Sequence, residues 1–147
     1  MSTTEPLDRL IGVCVDAEKR YHHAASDVGR ADLEKYFERQ AVARKKAADE
    51  LNRERIRLGG DDKEAGTFGG LIDRTAMDFS VIMSAGDSAV VDWCRSDAQS
   101  VVAEYERALA LNLPPGTREI VARQLAEIRL TATSLEKELQ AYGGRRS

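Results

Sequence analysis

Residues 7–25 read LDRLIGVCVDAEKRYHHAA, and their apolar positions recur with the three- and four-residue spacing of an amphipathic helix. The apolar stripe consists of Leu7, Leu10, Ile11, Cys14, Tyr21 and Ala25. Glu18 falls on the same stripe, between Cys14 and Tyr21. A carboxylate that faces a core is costly unless a cation, a metal ion or hydrogen-bond donors answer it. The first functional question is therefore what lies opposite Glu18.

The composition of the 147-residue chain is typical of one helical domain, with 5% aromatic and 32% charged residues. The net charge is −3 and both signs are mixed along every segment, which argues against a nucleic-acid-binding surface. No apolar run reaches the roughly 20 residues that span a membrane, and the first residues lack the pattern of a signal peptide. We therefore expect a cytoplasmic protein that binds neither nucleic acid nor membrane.

Glycine, proline and capping residues divide the chain into helical segments. Long helices are predicted over about 6–28, 31–58, 88–111 and 117–142, and a shorter one over about 67–84. Short connections join the long helices in two antiparallel pairs, and the Gly-rich stretch 59–70 begins the link between the pairs. The sequence thus predicts an all-α, ferritin-like four-helix bundle in a single domain over 1–147. Its two antiparallel hairpins are joined by a long crossover that carries the extra helix.

A bundle of this plan invites a search for two metal ions. In ferritin-like di-metal proteins, inward-facing Glu and Glu-x-x-His residues supply the ligands. Here no Glu-x-x-His occurs, and the two histidines, His22 and His23, are neighbours on the first helix. The mid-helix positions on the other stripes are Ala43, Ala98 and Ala132. We therefore expect neither a metal ion nor another cofactor.

The geometry of the first hairpin suggests a different partner for Glu18. A turn centred near Gly29 places Glu18 level with Gln40 and Arg44, both on the inward stripe of the second helix. An ion pair with Arg44 and hydrogen bonds from Gln40 or Tyr21 would satisfy the carboxylate. The sequence thus predicts a buried polar cluster of Glu18, Tyr21, Gln40 and Arg44, held together for a structural reason.

Several short stretches occur in a characteristic order and spacing: DAEKRY at 16–21, RLGG at 57–60, AL at 108–109 before LPP at 113–115, and RQL at 123–125. Together they resemble a bacterial ferritin-like family, domain of unknown function 2383, related to the rubrerythrin and ferritin group. The resemblance implies a four-helix bundle and brings no assigned reaction. It also implies Glu at the positions of Ala43 and Ala98, and often His at that of Ala132. Glu18, Ala43, Ala98 and Ala132 would then mark a lost metal site of which only Glu18 is retained.

Three functions remain open at this stage. The leading hypothesis is a non-catalytic bundle that acts through protein contacts in a stress response, with an unidentified partner. The alternatives are a metal-binding or di-iron oxidase or ferroxidase that uses Glu18, and a protein that binds a small ligand in the space left by the alanines. The apolar crossover helix is expected either to cover an open edge of the bundle, which is favoured for most of its residues, or to form the contact of a homodimer near Trp93. Cys14 and Cys94 are expected to be buried thiols, too far apart for a disulfide.

Overall fold

Four long helices make up most of the protein. In this computed structural model, which describes residues 4–70 and 85–145, they are α1 (Glu5–Asp27), α2 (Ala31–Arg57), α3 (Asp87–Leu109) and α4 (Pro115–Arg145). A 3₁₀ turn, Ala65–Phe68, lies between α2 and α3, and these two described ranges contain no strand. The predicted all-α four-helix fold is confirmed, with helix ends within a few residues of the expected ones. No helix in these ranges combines the length and the apolar character needed to cross a membrane.

The predicted crossover helix falls mainly on residues 71–84, which lie outside the described residues. Of its expected first residues, Thr67 and Phe68 belong to the 3₁₀ turn, and Gly69 and Gly70 are not helical. The expected cover over the bundle edge and the homodimer contact through this helix therefore stay predictions.

Hydrogen bonds show that α2 ends and α3 begins at opposite ends of the bundle. In the link between them, Gly70 N–H donates to Asp16 Oδ1 on α1 at 2.7 Å. At the start of α3, Asp87 accepts the N–H groups of Gly29 and Arg30 in the α1–α2 turn, at 2.8 and 3.1 Å. Helix α3 therefore starts beside the end of α1 and runs antiparallel to it, and α4 returns antiparallel to α2. This topology is the predicted pair of hairpins joined by a long crossover.

The apolar core is divided in two along the bundle axis. One cluster, which includes Leu10 and Leu51, fills the end at which α1 begins. The other, which includes Phe37 and Val90, fills the end with the α1–α2 turn. A polar layer centred on Arg44 separates the clusters. The expected apolar stripe of α1 is buried throughout: Leu7, Leu10, Ile11, Cys14, Tyr21 and Ala25.

Candidate functional site at the bundle centre

Arg44 is the central residue of the polar layer. The buried side of α2 continues from Ala41 through Arg44 to Ala48 and Leu51, in the three- and four-residue steps that keep one side of a helix toward the core. Arg44 is only 4% exposed, and its Nε makes no hydrogen bond. No described carboxylate forms an ion pair with its guanidinium. The prediction that Arg44 points inward is therefore correct.

The predicted ion pair between Glu18 and Arg44 is wrong. Glu18 Oε2 instead lies 3.7 Å from His22 Nε2, one turn further along α1, and the Glu18 side chain is 24% exposed. Its neighbour Ala17 is the residue that faces the core. Since adjacent residues on a helix point about 100° apart, Glu18 is turned to the edge of the bundle.

The four positions of the proposed lost metal site are not gathered around one point. Ala98 on α3 is buried beside a central cavity, whereas Ala43 lines a groove on the outer side of α2 and α4. Ala132 packs, half-buried, against the cluster that contains Phe37. In the described ranges no group of three or more His, Cys, Asp or Glu side chains is placed to hold a metal ion. The described residues, with Arg44 among them, do not fit the di-metal centre of ferritin-like proteins.

A small cavity separates the two core clusters at the level of Arg44. The space open to the centre of a water-sized sphere is about 10 Å³, which is room for one water molecule. Its walls include Ala17, Tyr21, Arg44, Ala98, Ile128 and Thr131. The organic ligand considered for the bundle centre has no room in a cavity of this size.

The predicted polar cluster is only partly assembled. Tyr21 and Arg44 line the same cavity. Tyr21 stacks on Phe37, with 6.0 Å between ring centres, and burial raises its pKa well above the usual value. Gln40 instead accepts a hydrogen bond from Thr131 Oγ1 at 2.9 Å, which ties α2 to α4. The cavity is therefore lined by one cation and by neutral groups.

A chain of hydrogen bonds beside the cavity was not predicted. The Tyr105 hydroxyl donates to Gln124 Oε1 at 2.7 Å, so the Cys14 thiol, 3.0 Å away, donates to Tyr105. The Gln124 amide donates to Glu50 Oε1 at 2.8 Å, and the chain thereby joins all four helices. Burial raises the pKa of both Cys14 and Tyr105. Cys14 and Cys94 are both buried free thiols, and a protonated thiol is a poor nucleophile.

A buried ion pair between Arg20 and Asp97 joins α1 to α3 and was also missed. The atoms Arg20 Nη1 and Asp97 Oδ1 are 3.1 Å apart, and each side chain is 10% exposed. The Arg20 guanidinium also lies 5.4 Å from the centre of the Trp93 ring. Burial raises the pKa of Asp97 to about 6, although Arg20 opposes the shift. In the sequence, Arg20 stands four residues after Asp16, the spacing of an ion pair within one helix. Its partner Asp97 can be identified only when the position of α3 is known.

Comparison with protein families gives one match that spans most of the chain. A family described as a domain of unknown function (DUF2383) matches residues 2–111, which include α1, α2 and α3. None of the curated proteins compared with the chain matches it. The matched range includes Glu18, Ala43, Arg44 and Ala98, and it ends before α4. The chain therefore belongs to the family of domain of unknown function 2383.

Proposed function

We propose that this protein is a ferritin-like, non-catalytic helical bundle that acts through contacts with other proteins. The observation that supports the proposal is the buried Arg44 guanidinium at the centre of the bundle, facing Ala98 across a small cavity. A guanidinium stays protonated at every physiological pH. Its positive charge repels a divalent cation at the place where a ferritin-like bundle would hold one.

The chemistry around Arg44 supports the same proposal. Iron, manganese and zinc are bound in proteins by carboxylates, imidazoles and thiolates. Besides Arg44, the cavity is lined by apolar side chains, the Thr131 hydroxyl and Tyr21, whose pKa is raised by burial. None of these supplies the negative charge that a metal pair requires. A homodimer that acts through contacts with other proteins, within a stress response, needs no metal-binding or reactive group at the bundle centre.

A metal-binding function is the second candidate, and one observation favours it. Glu18 and His22 lie 3.7 Å apart on one side of α1, where they offer a carboxylate and an imidazole. Both are reachable from solvent, since the Glu18 side chain is 24% and the His22 side chain 60% exposed. Two ligands leave a transition-metal ion mainly hydrated and weakly held. This candidate therefore depends on further ligands from another part of the chain or from a second copy.

Metal loading separates the two candidates. Purified protein is incubated with Fe(II), Mn(II) or Zn(II), desalted and subjected to elemental analysis, and oxygen uptake is followed after Fe(II) addition. The proposal expects less than stoichiometric metal, no uptake above the protein-free rate, and a dimer in sedimentation equilibrium of the metal-free sample. Glu18→Ala is compared with Glu34→Ala, which removes an exposed carboxylate from α2. Stoichiometric metal that is lost in Glu18→Ala and kept in Glu34→Ala overturns the proposal in favour of metal binding, and a monomer contradicts the homodimer.

A further inference from the structure

The central cavity borders a buried cation that the described part of the chain leaves without a counterion. Arg44 is 4% exposed, yet its Nε has no hydrogen-bond partner and no described carboxylate forms an ion pair with it. Taking a charged group out of water costs several kcal/mol unless an opposite charge or well-placed acceptors compensate. A guanidinium has five N–H donors and no way to become neutral. Something that accepts hydrogen bonds, and preferably carries negative charge, is required next to it.

The neighbours of Arg44 inside the bundle cannot supply that charge. Cys14, Tyr21 and Tyr105 lie close enough for the guanidinium to lower the pKa of each, but burial outweighs this effect and raises all three. They are therefore neutral at physiological pH. The nearest member of the hydrogen-bonded chain with a negative charge is Glu50, which is already engaged by Gln124 and Arg123.

The shape of the cavity limits what can fill the gap. The space open to the centre of a water-sized sphere is about 10 Å³, so that one water molecule or one monatomic ion fits. Sulfate, phosphate and carboxylic acids are too large. Ala17, Ala98, Val101 and Ile128 line the cavity with apolar side chains, and the Thr131 hydroxyl, which also lines it, is engaged by Gln40. Tyr21 lines the same space, and its hydroxyl is a second hydrogen-bond donor there.

An approach from solvent lies at the same level of the bundle. A groove of about 290 Å³ runs between α2 and α4, and Ala43 and Glu127 on its floor directly precede Arg44 and Ile128 of the cavity. Three of its lining residues are basic, Arg39, Lys46 and Arg123, against two acidic ones. The contact between α2 and α4 is made here by small and polar side chains, such as the Thr131–Gln40 hydrogen bond. The groove thus brings basic side chains to the helix positions next to the cavity, where they attract a small anion.

We propose that the bundle centre is a binding site for one halide-sized monovalent anion, chloride in a cell, held by the Arg44 guanidinium and the Tyr21 hydroxyl. The anion neutralises the buried cation and joins the two core clusters across the polar layer. It thereby acts as a structural ligand, whose binding contributes to folding stability in proportion to the logarithm of its concentration above Kd.

Thermal unfolding at constant ionic strength tests the site, because fixed ionic strength removes general screening. Sodium gluconate, whose anion is too large for the cavity, is replaced stepwise by sodium chloride or bromide. The wild-type Tm is expected to rise with halide concentration, by about 3–5 °C at ten times Kd. Crystals grown in bromide should give an anomalous peak beside the Arg44 guanidinium.

Two variants and one control separate the site from general salt effects. Arg44→Met removes the charge and keeps an unbranched side chain, so its Tm should not respond to the exchange of gluconate for halide. Ala98→Asp places a carboxylate in the cavity wall as a permanent counterion and should likewise abolish the response, which keeps the test valid if Arg44→Met fails to fold. Arg53→Met changes an exposed arginine of the same helix that lines neither the groove nor the cavity, and should keep the full response.

Two results would overturn the inference. One is an equal halide response in wild type and in both cavity variants, which would assign the effect to the protein surface. The other is a wild-type Tm that does not change with halide, which would assign the cavity to water. Either result leaves the metal-loading experiment untouched, so the anion site and the proposed function fail independently.

Discussion

Arg44 and Arg55 lie three turns apart on the same buried side of α2, and each is 4% exposed. They differ in their partners, because Arg55 is surrounded by hydrogen-bond acceptors and Arg44 is not. Arg55 Nε donates to Asp8 Oδ1 at 2.5 Å, its Nη1 donates to the Asp61 carbonyl at 2.6 Å, and its Nη2 donates to the Asp61 carboxylate. Its guanidinium also lies 4.7 Å from the centre of the Phe68 ring. Arg44 has no such contact with a described residue and borders a cavity instead.

The difference follows from the position of each arginine along the bundle. At the end of α2, a loop and the first turn of α1 supply carboxylates that stay partly in water, since the side chains of Asp8 and Asp61 are 34% and 63% exposed. At the middle, a carboxylate would have to be buried together with Arg44, at a cost of several kcal/mol per ion. A helical bundle therefore neutralises a buried cation easily at its ends and only with difficulty at its centre.

The largest expected effect comes from making the same change at both arginines. Arg55→Met removes three hydrogen bonds to polar and charged groups and should lower the free energy of unfolding by about 3 kcal/mol. Arg44→Met removes a buried charge that the protein does not pair and should raise it by about 1 kcal/mol in halide-free buffer. Urea unfolding of both variants, beside the exposed-site control Arg53→Met, measures the pair. A loss of equal size at both sites would contradict the contrast.

The Arg20–Asp97 pair lies between these extremes, and pH probes it. Burial raises the pKa of Asp97 from 3.8 to about 6, so its contribution to stability is fully present below 3.8 and is lost as the pH rises through about 6. Wild type should therefore lose about 2 kcal/mol relative to Asp97→Asn between about pH 4 and pH 7. Urea unfolding over a pH series measures this difference, with the exposed Asp62→Asn as control. Parallel pH profiles of wild type and Asp97→Asn would show that Asp97 titrates normally.

The smallest effect is expected for the chain of hydrogen bonds beside the cavity, which runs from Cys14 through Tyr105 and Gln124 to Glu50. Tyr105→Phe leaves Gln124 Oε1 without its donor and the Cys14 thiol without its acceptor, and should cost about 1 kcal/mol. Ser100→Ala removes an exposed hydroxyl from the same helix and should stay within about 0.5 kcal/mol of wild type. A Tyr105→Phe variant as stable as wild type would mean that the chain from Cys14 to Glu50 contributes nothing to stability.

Periodicity was sufficient for the helices and their buried sides. The apolar stripe of α1 is buried as expected, and Arg44 was correctly assigned to the inward side of α2. The same periodicity failed for Glu18, because a stripe drawn in four-residue steps includes a position that is 24% exposed and overlooks Ala17. An error of one position on a helix turns a side chain by about 100°, which is enough to replace a core residue with one at the rim.

Contacts between distant helices could not be predicted in this way. The bonds from Tyr105 to Gln124 and from Arg20 to Asp97 depend on the register of α3 against its neighbours. Register along a bundle is set by how side chains of several helices interlock, and many residue pairs satisfy the same helical spacing. Asp87 illustrates the point, because it resembles a capping residue of its own helix yet accepts the N–H groups of Gly29 and Arg30.

The sequence by itself determined the helical class, the positions of the helices and the burial of Arg44, because these follow from local spacing and from breaks in the chain. It also gives alanine, and not a metal ligand, at position 98, which lines the central cavity. Only the tertiary structure decided that Glu18 lies at the edge of the bundle, that the core splits at Arg44 and that Arg44 lines a cavity with room for one water molecule. Which groups lie near a buried charge depends on how the helices pack against one another, and the spacing of residues within one helix does not contain this information.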